Sequence, residues 1–274
     1  TETGASGDDG AADGSGGAGA EETTHITFNV ADAAFKFLAD RELKAKLQQW
    51  NVDEMSRFHV FRFDRRFNPL ELDAFLLDFF NSKDVRTHFQ PLAAAKTETP
   101  FAGVARSVKH TKLATTQLSM DFFDRLQKEG LVSASGSIKK RFDEDFDGVT
   151  VGDDVREMLV NPDSENEEVY SEAEKSEFLY HVFRRVTVGG PMCQFEDNWE
   201  AYLAATKAMY KELVSVHRRP SGDIEVGSTV LQVTGLDCDT PLWPKDNDHN
   251  FLYLSIDPLK RRVIVWYGAF VSWW

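Results

Sequence analysis

The apolar residues of this chain change their spacing at about residue 218, and this change limits the folds open to it. In the residues just before that point they recur at the period of a helix, as in 178–186 and 199–213. After it they alternate or run on, as in residues 224–233, 251–256 and 263–271, which is typical of strands. Short turns between these strands favour antiparallel pairing. We therefore predict an α+β fold, with helices packed on an antiparallel sheet and β-hairpins toward the C-terminus.

Capping residues and glycines set the expected ends of the helices. Ser171 and Glu174 form a capping box before a helix that we expect to reach Val186, and Gly189 and Gly190 then interrupt the chain. A second helix is expected to open near Asp197 and to bury one face. That face comprises Trp199, Tyr202, Leu203, Thr206, Met209, Tyr210 and Leu213. Residues 26–30 and 58–63 read as strands and 69–80 as a helix, whereas residues 84–118 lack a sustained period and are expected to be irregular.

The first 24 residues differ in composition from the rest. They contain Gly, Ala, small polar and acidic residues, with no large apolar side chain to bury. We predict that residues 1–24 form a disordered acidic tail and that residues 25–274 form a single α+β domain.

The net charge of −14 disfavours two classes of partner. Nucleic acids and anionic membrane surfaces both select clustered Lys and Arg, so we expect neither. No apolar run reaches the ~18 residues that a membrane span requires. Cys193 and Cys238 are the two cysteines and form no CxxC pair, which suits a reducing compartment. These features predict a soluble, intracellular protein that binds other proteins.

Two acidic stretches allow a functional and a structural interpretation. In residues 143–154, Asp143, Asp145, Asp147 and Gly148 occupy the first, third, fifth and sixth positions of an EF-hand loop, but Asp154 replaces the bidentate Glu. A calcium-dependent adaptor is therefore one alternative and a solvated acidic loop the other. Residues 163–177 carry seven acids and one Lys, as a solvated surface or as a docking surface for a basic partner.

No catalytic motif stands out. The seven histidines are scattered singly, and phosphate-loop, dinucleotide-binding and GxSxG patterns are missing. An enzyme remains possible as an alternative if Cys193 meets a distant histidine in space, although a buried structural thiol explains the residue as well. We expect no catalytic residues, no metal and no cofactor.

Three segments stand out, TQLSMDFFDRL from Thr116, GGPMCQFEDNWEAYLAATKAMYKELVSV from Gly189 and HNFLYLSIDPLKRRVIVWY from His249, with LKAKLQQW from Leu43 as a weaker fourth. Together they resemble the cilia- and flagella-associated protein 300 family, a set of dynein axonemal assembly factors. The resemblance implies a non-enzymatic protein of the cytoplasm and of the cilium or flagellum. Its implied partners are other dynein axonemal assembly factors, dynein arm subunits and the intraflagellar transport machinery.

The partner-binding surface is predicted from two segments. One is the connection of residues 189–197, because its sequence GGPMCQFED is more specific to the resemblance than a plain helical hairpin requires. From it we predict that Gln194, Glu196 and Asp197 contact a partner. The other is the aromatic C-terminus, whose Trp273 and Trp274 are typical interface anchors. A purely structural connection, in which the glycines permit the turn and the acids cap the next helix, is the alternative.

Overall fold

A computed structural model of the protein describes residues 25–32, 34–93 and 97–271. The predicted tail, residues 1–24, and the predicted anchors Trp273 and Trp274 lie outside the described residues. The strands of the described ranges are β1 (Phe28–Val30), β2 (Ser56–Phe63), β3 (Ser107–Lys112), β4 (Lys140–Phe146), β5 (Val149–Asp153), β6 (Val216–Arg218), β7 (Ile224–Val226), β8 (Thr229–Asp237), β9 (Phe251–Asp257) and β10 (Arg262–Gly268).

The α-helices are mostly short. In the same ranges they are α1 (Lys36–Ala39), α2 (Arg41–Gln49), α3 (Val52–Met55), α4 (Leu72–Asn81), α5 (Lys83–His88), α6 (Arg125–Lys128), α7 (Asp154–Val160), α8 (Glu172–Lys175), α9 (Phe178–Val188) and α10 (Glu200–Leu213). None of these helices combines the length and the apolar character that crossing a bilayer demands.

A six-stranded sheet organises the fold, in the order β1-β2-β10-β9-β8-β3 with antiparallel neighbours throughout. This confirms the predicted α+β class. The C-terminal hairpin is also confirmed: β9 and β10 pair from Asp257 opposite Arg262 to Phe251 opposite Gly268. The Asp257 carboxylate accepts the backbone N–H groups of Leu259 (3.0 Å) and Lys260 (2.9 Å), which closes the turn between them.

Both faces of the sheet are covered, which explains the apolar character of β10 on both sides. Ile264 and Trp266 belong to the cluster on one face, with the buried residues of α2, α7, α9 and α10. Val263, Val265 and Tyr267 belong to the cluster on the other face, with α4 and α5. Because β10 lies between β2 and β9, it is a central strand and not an edge open to a partner.

Local capping signals appear where the sequence placed them. Ser171 and Glu174 form the complete capping box, and Asp153 accepts a hydrogen bond from the backbone N–H of Arg156 at the start of α7. The predicted helix of residues 171–186, however, is two helices, α8 and α9. The chain is diverted at Ser176–Phe178, because Ser176 accepts from Ala114 N–H (3.1 Å) and Phe178 N–H donates to Ala114 (2.8 Å).

The expectation of irregular structure over residues 84–118 was wrong in part. Helix α5 and strand β3 lie there. Strand β3 is at the edge of the sheet with mostly exposed side chains, so it has no apolar alternation to read. The single strand expected over residues 224–233 is also divided, into β7 and β8.

The segment 143–154 adopts a β-hairpin and not an EF-hand loop. Asp147 (φ 55°) and Gly148 (φ 88°) form a two-residue turn between β4 and β5, a conformation that favours Asp and Gly. Asp154, at the place of the expected calcium-binding Glu, begins α7, and its carboxylate lies 2.8 Å from Lys139 Nζ. Within the described ranges no group of three or more His, Cys, Asp or Glu could hold a metal ion.

The acidic stretch 163–177 is largely engaged by the protein itself. Arg125 donates two hydrogen bonds to Glu174, at 2.6 and 2.8 Å, and Lys175 contacts Glu167 and Glu172. The hydrogen bond from Arg125, with those from Ser171, lowers the pKa of Glu174 to about 2.

We predict that Glu174→Gln destabilises the protein in a pH-dependent way. The folded-state pKa lies below the unfolded value of about 4.3, so the stabilisation is complete above that value and is lost as the pH falls toward 2. The expected loss at pH 7 is about 1 kcal/mol, because the pair is partly solvated. Urea unfolding at pH 7 and at pH 2.5 measures the difference between the variant and the parent protein, which should shrink at the lower pH. An equal difference at both pH values would exclude a charged Glu174 as its cause.

The buried face of α10 differs from the prediction at one residue. Tyr202, Thr206, Met209 and Tyr210 are buried as expected, whereas Leu203 is half-buried. We predict that Met209→Ala costs about 2 to 5 kcal/mol and Leu203→Ala only about 1 to 2 kcal/mol. Chemical denaturation of both variants tests this order. A larger loss for Leu203→Ala would contradict the position of α10.

Candidate functional site

The connection of residues 189–197 passes against the end of α2, and its two glycines are required by that approach. Gly189 has a φ of 69°, and a Cβ there would lie 2.4 Å from the carbonyl oxygen of Trp50. A Cβ on Gly190 would lie 2.6 Å from the carbonyl oxygen of Asn51. The Gly190 N–H donates to Trp50 O at 2.9 Å, so the chain reaches backbone-to-backbone contact that a side chain would prevent.

A buried arginine fixes the end of α9 and the start of the connection. Arg156 of α7 is fully buried, and its Nη2 donates to the carbonyl oxygens of Thr187 and Val188 in the last turn of α9. The guanidinium also lies 4.5 Å from the ring centroid of Phe195. A cation at a helix C-terminus interacts favourably with the helix dipole, so Arg156 links both elements through Nη2, while its Nε and Nη1 are buried without a hydrogen-bond partner.

Cys193 is held by the same arginine. Arg156 Nη2 lies 3.0 Å from Cys193 Sγ, and burial raises the pKa of the thiol. The thiol is therefore kept protonated at neutral pH, and its hydrogen-bond partner is a permanently charged guanidinium that cannot accept a proton. In the part of the chain that the structure describes, the hydrogen-bond partner of Cys193 Sγ is an arginine, so the Cys–His pair of the enzyme alternative is not formed there.

Glu196 faces into the protein. Its carboxylate lies 2.7 Å from Lys46 Nζ and accepts a hydrogen bond from Trp50 Nε1 at 3.1 Å, and its side chain is 18% exposed. Its backbone N–H donates to the Tyr202 hydroxyl at 2.8 Å, and the rings of Trp50 and Tyr202 are 4.7 Å apart. Glu196 thus links α2, the connection and α10.

Gln194 and Asp197 present their side chains to solvent. The Gln194 backbone is paired with Gln49, donating to its carbonyl at 2.9 Å and accepting from its Nε2 at 3.1 Å. The Asp197 side chain is 85% exposed and lies 2.5 Å from Lys140 Nζ at the start of β4. Met192, which lies between Gly190 and Gln194 in the connection, is exposed as well. Partner binding by Gln194, Glu196 and Asp197 stays a prediction, and Gln194 and Asp197 are the two whose side chains a partner can reach.

The structure brings the connection close to the described end of the C-terminal segment. Pro191 and Val271 line one small cavity, together with Asn51 and Leu92. The cavity volume is about 10 Å³, space for about one water molecule, so it is a seam between segments and not a ligand pocket. The two segments that the sequence analysis singled out separately are therefore neighbours as far as Val271.

Sequence reasoning missed the buried arginines that hold this region. Arg185 of α9 donates to the Tyr253 hydroxyl (3.1 Å) and to the His249 carbonyl (3.1 Å), and its guanidinium lies 4.7 Å from the Phe251 ring centroid. The available signal was the position of Arg185 among the apolar residues of α9, whereas Arg156 stands beside Asp154 and Glu157 in α7 and gave a weaker one. A buried cation in such a place has to find carbonyl or carboxylate partners.

Comparison with known proteins agrees with the resemblance of the three segments. The family model described as cilia- and flagella-associated protein 300 matches residues 25–268, which include every strand of the sheet. The chain belongs to the cilia- and flagella-associated protein 300 family. It is 32% identical over 243 residues to the protein of that name from Chlamydomonas reinhardtii, covering 86% of this chain and 95% of the relative.

A second relative extends the similarity. The cilia- and flagella-associated protein 300 of Paramecium tetraurelia is 30% identical over 254 residues, covering 92% of this chain and 97% of the relative. No solved structure matches the chain. The arrangement of the sheet and of the 189–197 connection is therefore taken from the structure described above.

We predict that Glu196→Lys lowers the free energy of unfolding by about 1 to 3 kcal/mol. The new ammonium would face Lys46 and leave Trp50 Nε1 without an acceptor. Combining it with Lys46→Glu should restore part of the loss, which thermal and urea unfolding of the single and double variants will measure. A Glu196→Lys protein as stable as the parent would contradict the inward orientation of this carboxylate.

Proposed function

We propose that this protein is a non-enzymatic assembly or adaptor factor for axonemal dynein arms, working in the cytoplasm and at the cilium or flagellum by binding other proteins. Membership of the cilia- and flagella-associated protein 300 family across residues 25–268 is the observation that carries the proposal. The family's name associates it with cilia and flagella, and the dynein role is the one that the resemblance of the sequence implies.

The geometry of the 189–197 connection supports binding over catalysis. Its cysteine is paired with a buried arginine and has a raised pKa, which suits a structural role. Its exposed residues, Met192, Gln194 and Asp197, stand on a backbone fixed by Arg156 and by the contact with α2. A rigid backbone that presents an apolar and two polar side chains lowers the entropic cost of association.

Affinity purification from ciliated cells tests the proposal. We expect the tagged full chain to recover dynein heavy chains, other assembly factors and intraflagellar transport proteins, identified by mass spectrometry against an untagged control. Recovery of none of these under conditions that keep dynein complexes intact would overturn the dynein role.

A double variant then tests the surface. Gln194→Arg with Asp197→Lys should reduce recovery of these partners several-fold while changing stability by less than about 1 kcal/mol, because the Asp197 ion pair with Lys140 is exposed. Glu71→Lys is the control for the reversal at Asp197, because it reverses one exposed acid beside α4 on the opposite face of the sheet. Undiminished recovery with the double variant would show that partners bind elsewhere.

A further inference from the structure

A second surface feature lies on the side of the sheet that α10 covers. A cavity of about 290 Å³ opens between the end of α10, the start of α1 and the turn between β9 and β10. Three cations line it, Lys211, Lys260 and Arg262, together with one acid, Glu212. The rest of the wall is partly apolar, with Phe35, Val60, Val214 and Val216.

Two of these cations converge on one point. Lys260 Nζ and Arg262 Nη2 each lie 3.2 Å from Ser215 Oγ, so an ammonium and a guanidinium flank the same oxygen. The repulsion between these like charges is offset in part by Asp257 Oδ2, which accepts the Ser215 hydroxyl and lies 3.8 Å from Lys260 Nζ and from Arg262 Nε. Ser215 is itself a lining residue, which places the convergence at the cavity wall.

The nearby carboxylates are largely engaged by other donors. The Asp257 carboxylate accepts hydrogen bonds from the Ser215 hydroxyl and from two backbone N–H groups. Its distance to Lys260 Nζ and to Arg262 Nε is 3.8 Å, which is too long for a hydrogen bond. Glu212 accepts the backbone N–H groups of Lys36 (2.7 Å) and Phe37 (3.1 Å), at the start of α1. Arg262 Nε is buried without a hydrogen-bond partner.

A fourth cation, Arg62, stands beside Arg262. Arg62 of β2 is the residue directly opposite Arg262, so both side chains stand on the same face of the sheet. Like charges directly opposite each other on paired strands destabilise a sheet. In a protein of net charge −14, this concentration of positive charge is a local exception that an anionic ligand would relieve.

We propose that this cavity, lined by Lys211, Ser215, Lys260 and Arg262, binds a phosphate monoester group. Such a group carries close to two negative charges at neutral pH and presents three terminal oxygens, which matches three cationic side chains better than a singly charged carboxylate does. The cavity is larger than a phosphate alone, and its apolar wall leaves room for the group that carries it. A phosphorylated side chain of another protein and a small free phosphate share this chemistry.

Binding experiments with the full chain distinguish these sources. The probes are inorganic phosphate, followed by calorimetry, and a fluorescein-labelled Gly/Ala peptide with one phosphoserine, followed by fluorescence anisotropy. The same peptide with glutamate in place of phosphoserine is the charge control. We expect saturable binding that weakens with added salt, and tighter binding of the phosphopeptide than of inorganic phosphate if a protein is the source.

The variants are chosen to keep the fold. Lys211→Gln with Lys260→Gln removes two exposed cations and should weaken phosphate binding about tenfold or more. Lys207→Gln, the control for the change at Lys211, removes one lysine a helical turn earlier on α10, outside the cavity, and should bind normally. Arg262→Gln is a second, single variant that should also weaken binding, and thermal unfolding checks that each variant is folded.

Three results would overturn the proposal. They are no saturable binding of either phosphate probe, an equal loss of binding in Lys207→Gln, and glutamate-peptide binding as tight as that of the phosphopeptide. Saturable binding of inorganic phosphate that the phosphopeptide does not exceed would support the site and assign it to a small free phosphate.

Discussion

The central β9–β10 hairpin of the sheet requires the other elements of the fold to cover both of its faces. Strands β9 and β10 carry large apolar side chains on both faces, so water must be removed from both. Helices α9 and α10 cover one face, and α4 and α5 cover the other. The connection of residues 189–197 follows directly from this arrangement, because it is where the chain passes from α9 to α10 around the end of α2.

Polar groups hold these layers together where apolar packing alone would leave backbone carbonyls unsatisfied. Arg156 donates to a carbonyl oxygen in the last turn of α9, and Arg185 donates to one in the segment that leads into β9. Each guanidinium is buried, lies over an aromatic ring and donates mainly to carbonyl oxygens. A guanidinium offers five donors in a fixed plane, so one residue can satisfy several chain ends. The 189–197 connection is thus positioned by the Arg156 guanidinium, a charged group that is costly to bury without hydrogen-bond partners.

Elements with local signals could be predicted from the sequence. The capping box at Ser171, the turn at Asp257 and the apolar face of α10 depend on residues close together in the chain. Strand β3, the break between α8 and α9 and the inward orientation of Glu196 depend on contacts with distant segments. Spacing carries no information about such contacts. The same limit applies to the phosphate-binding cavity, whose lysines and arginine stand in two separate segments, α10 and the β9–β10 hairpin.

The order of the strands bears on how the protein acquires its fold. Strand β2 pairs with β10 so that Arg62 lies opposite Arg262, 200 residues further along the chain. Such long-range pairing gives a high contact order, which slows folding. Until β10 arrives, β2 has an unpaired inner edge bearing Phe61 and Phe63, the kind of edge that invites association with other chains. Early in folding the nascent chain therefore has an aggregation hazard at residues 56–63, a strand edge that stays exposed until β10 pairs with it.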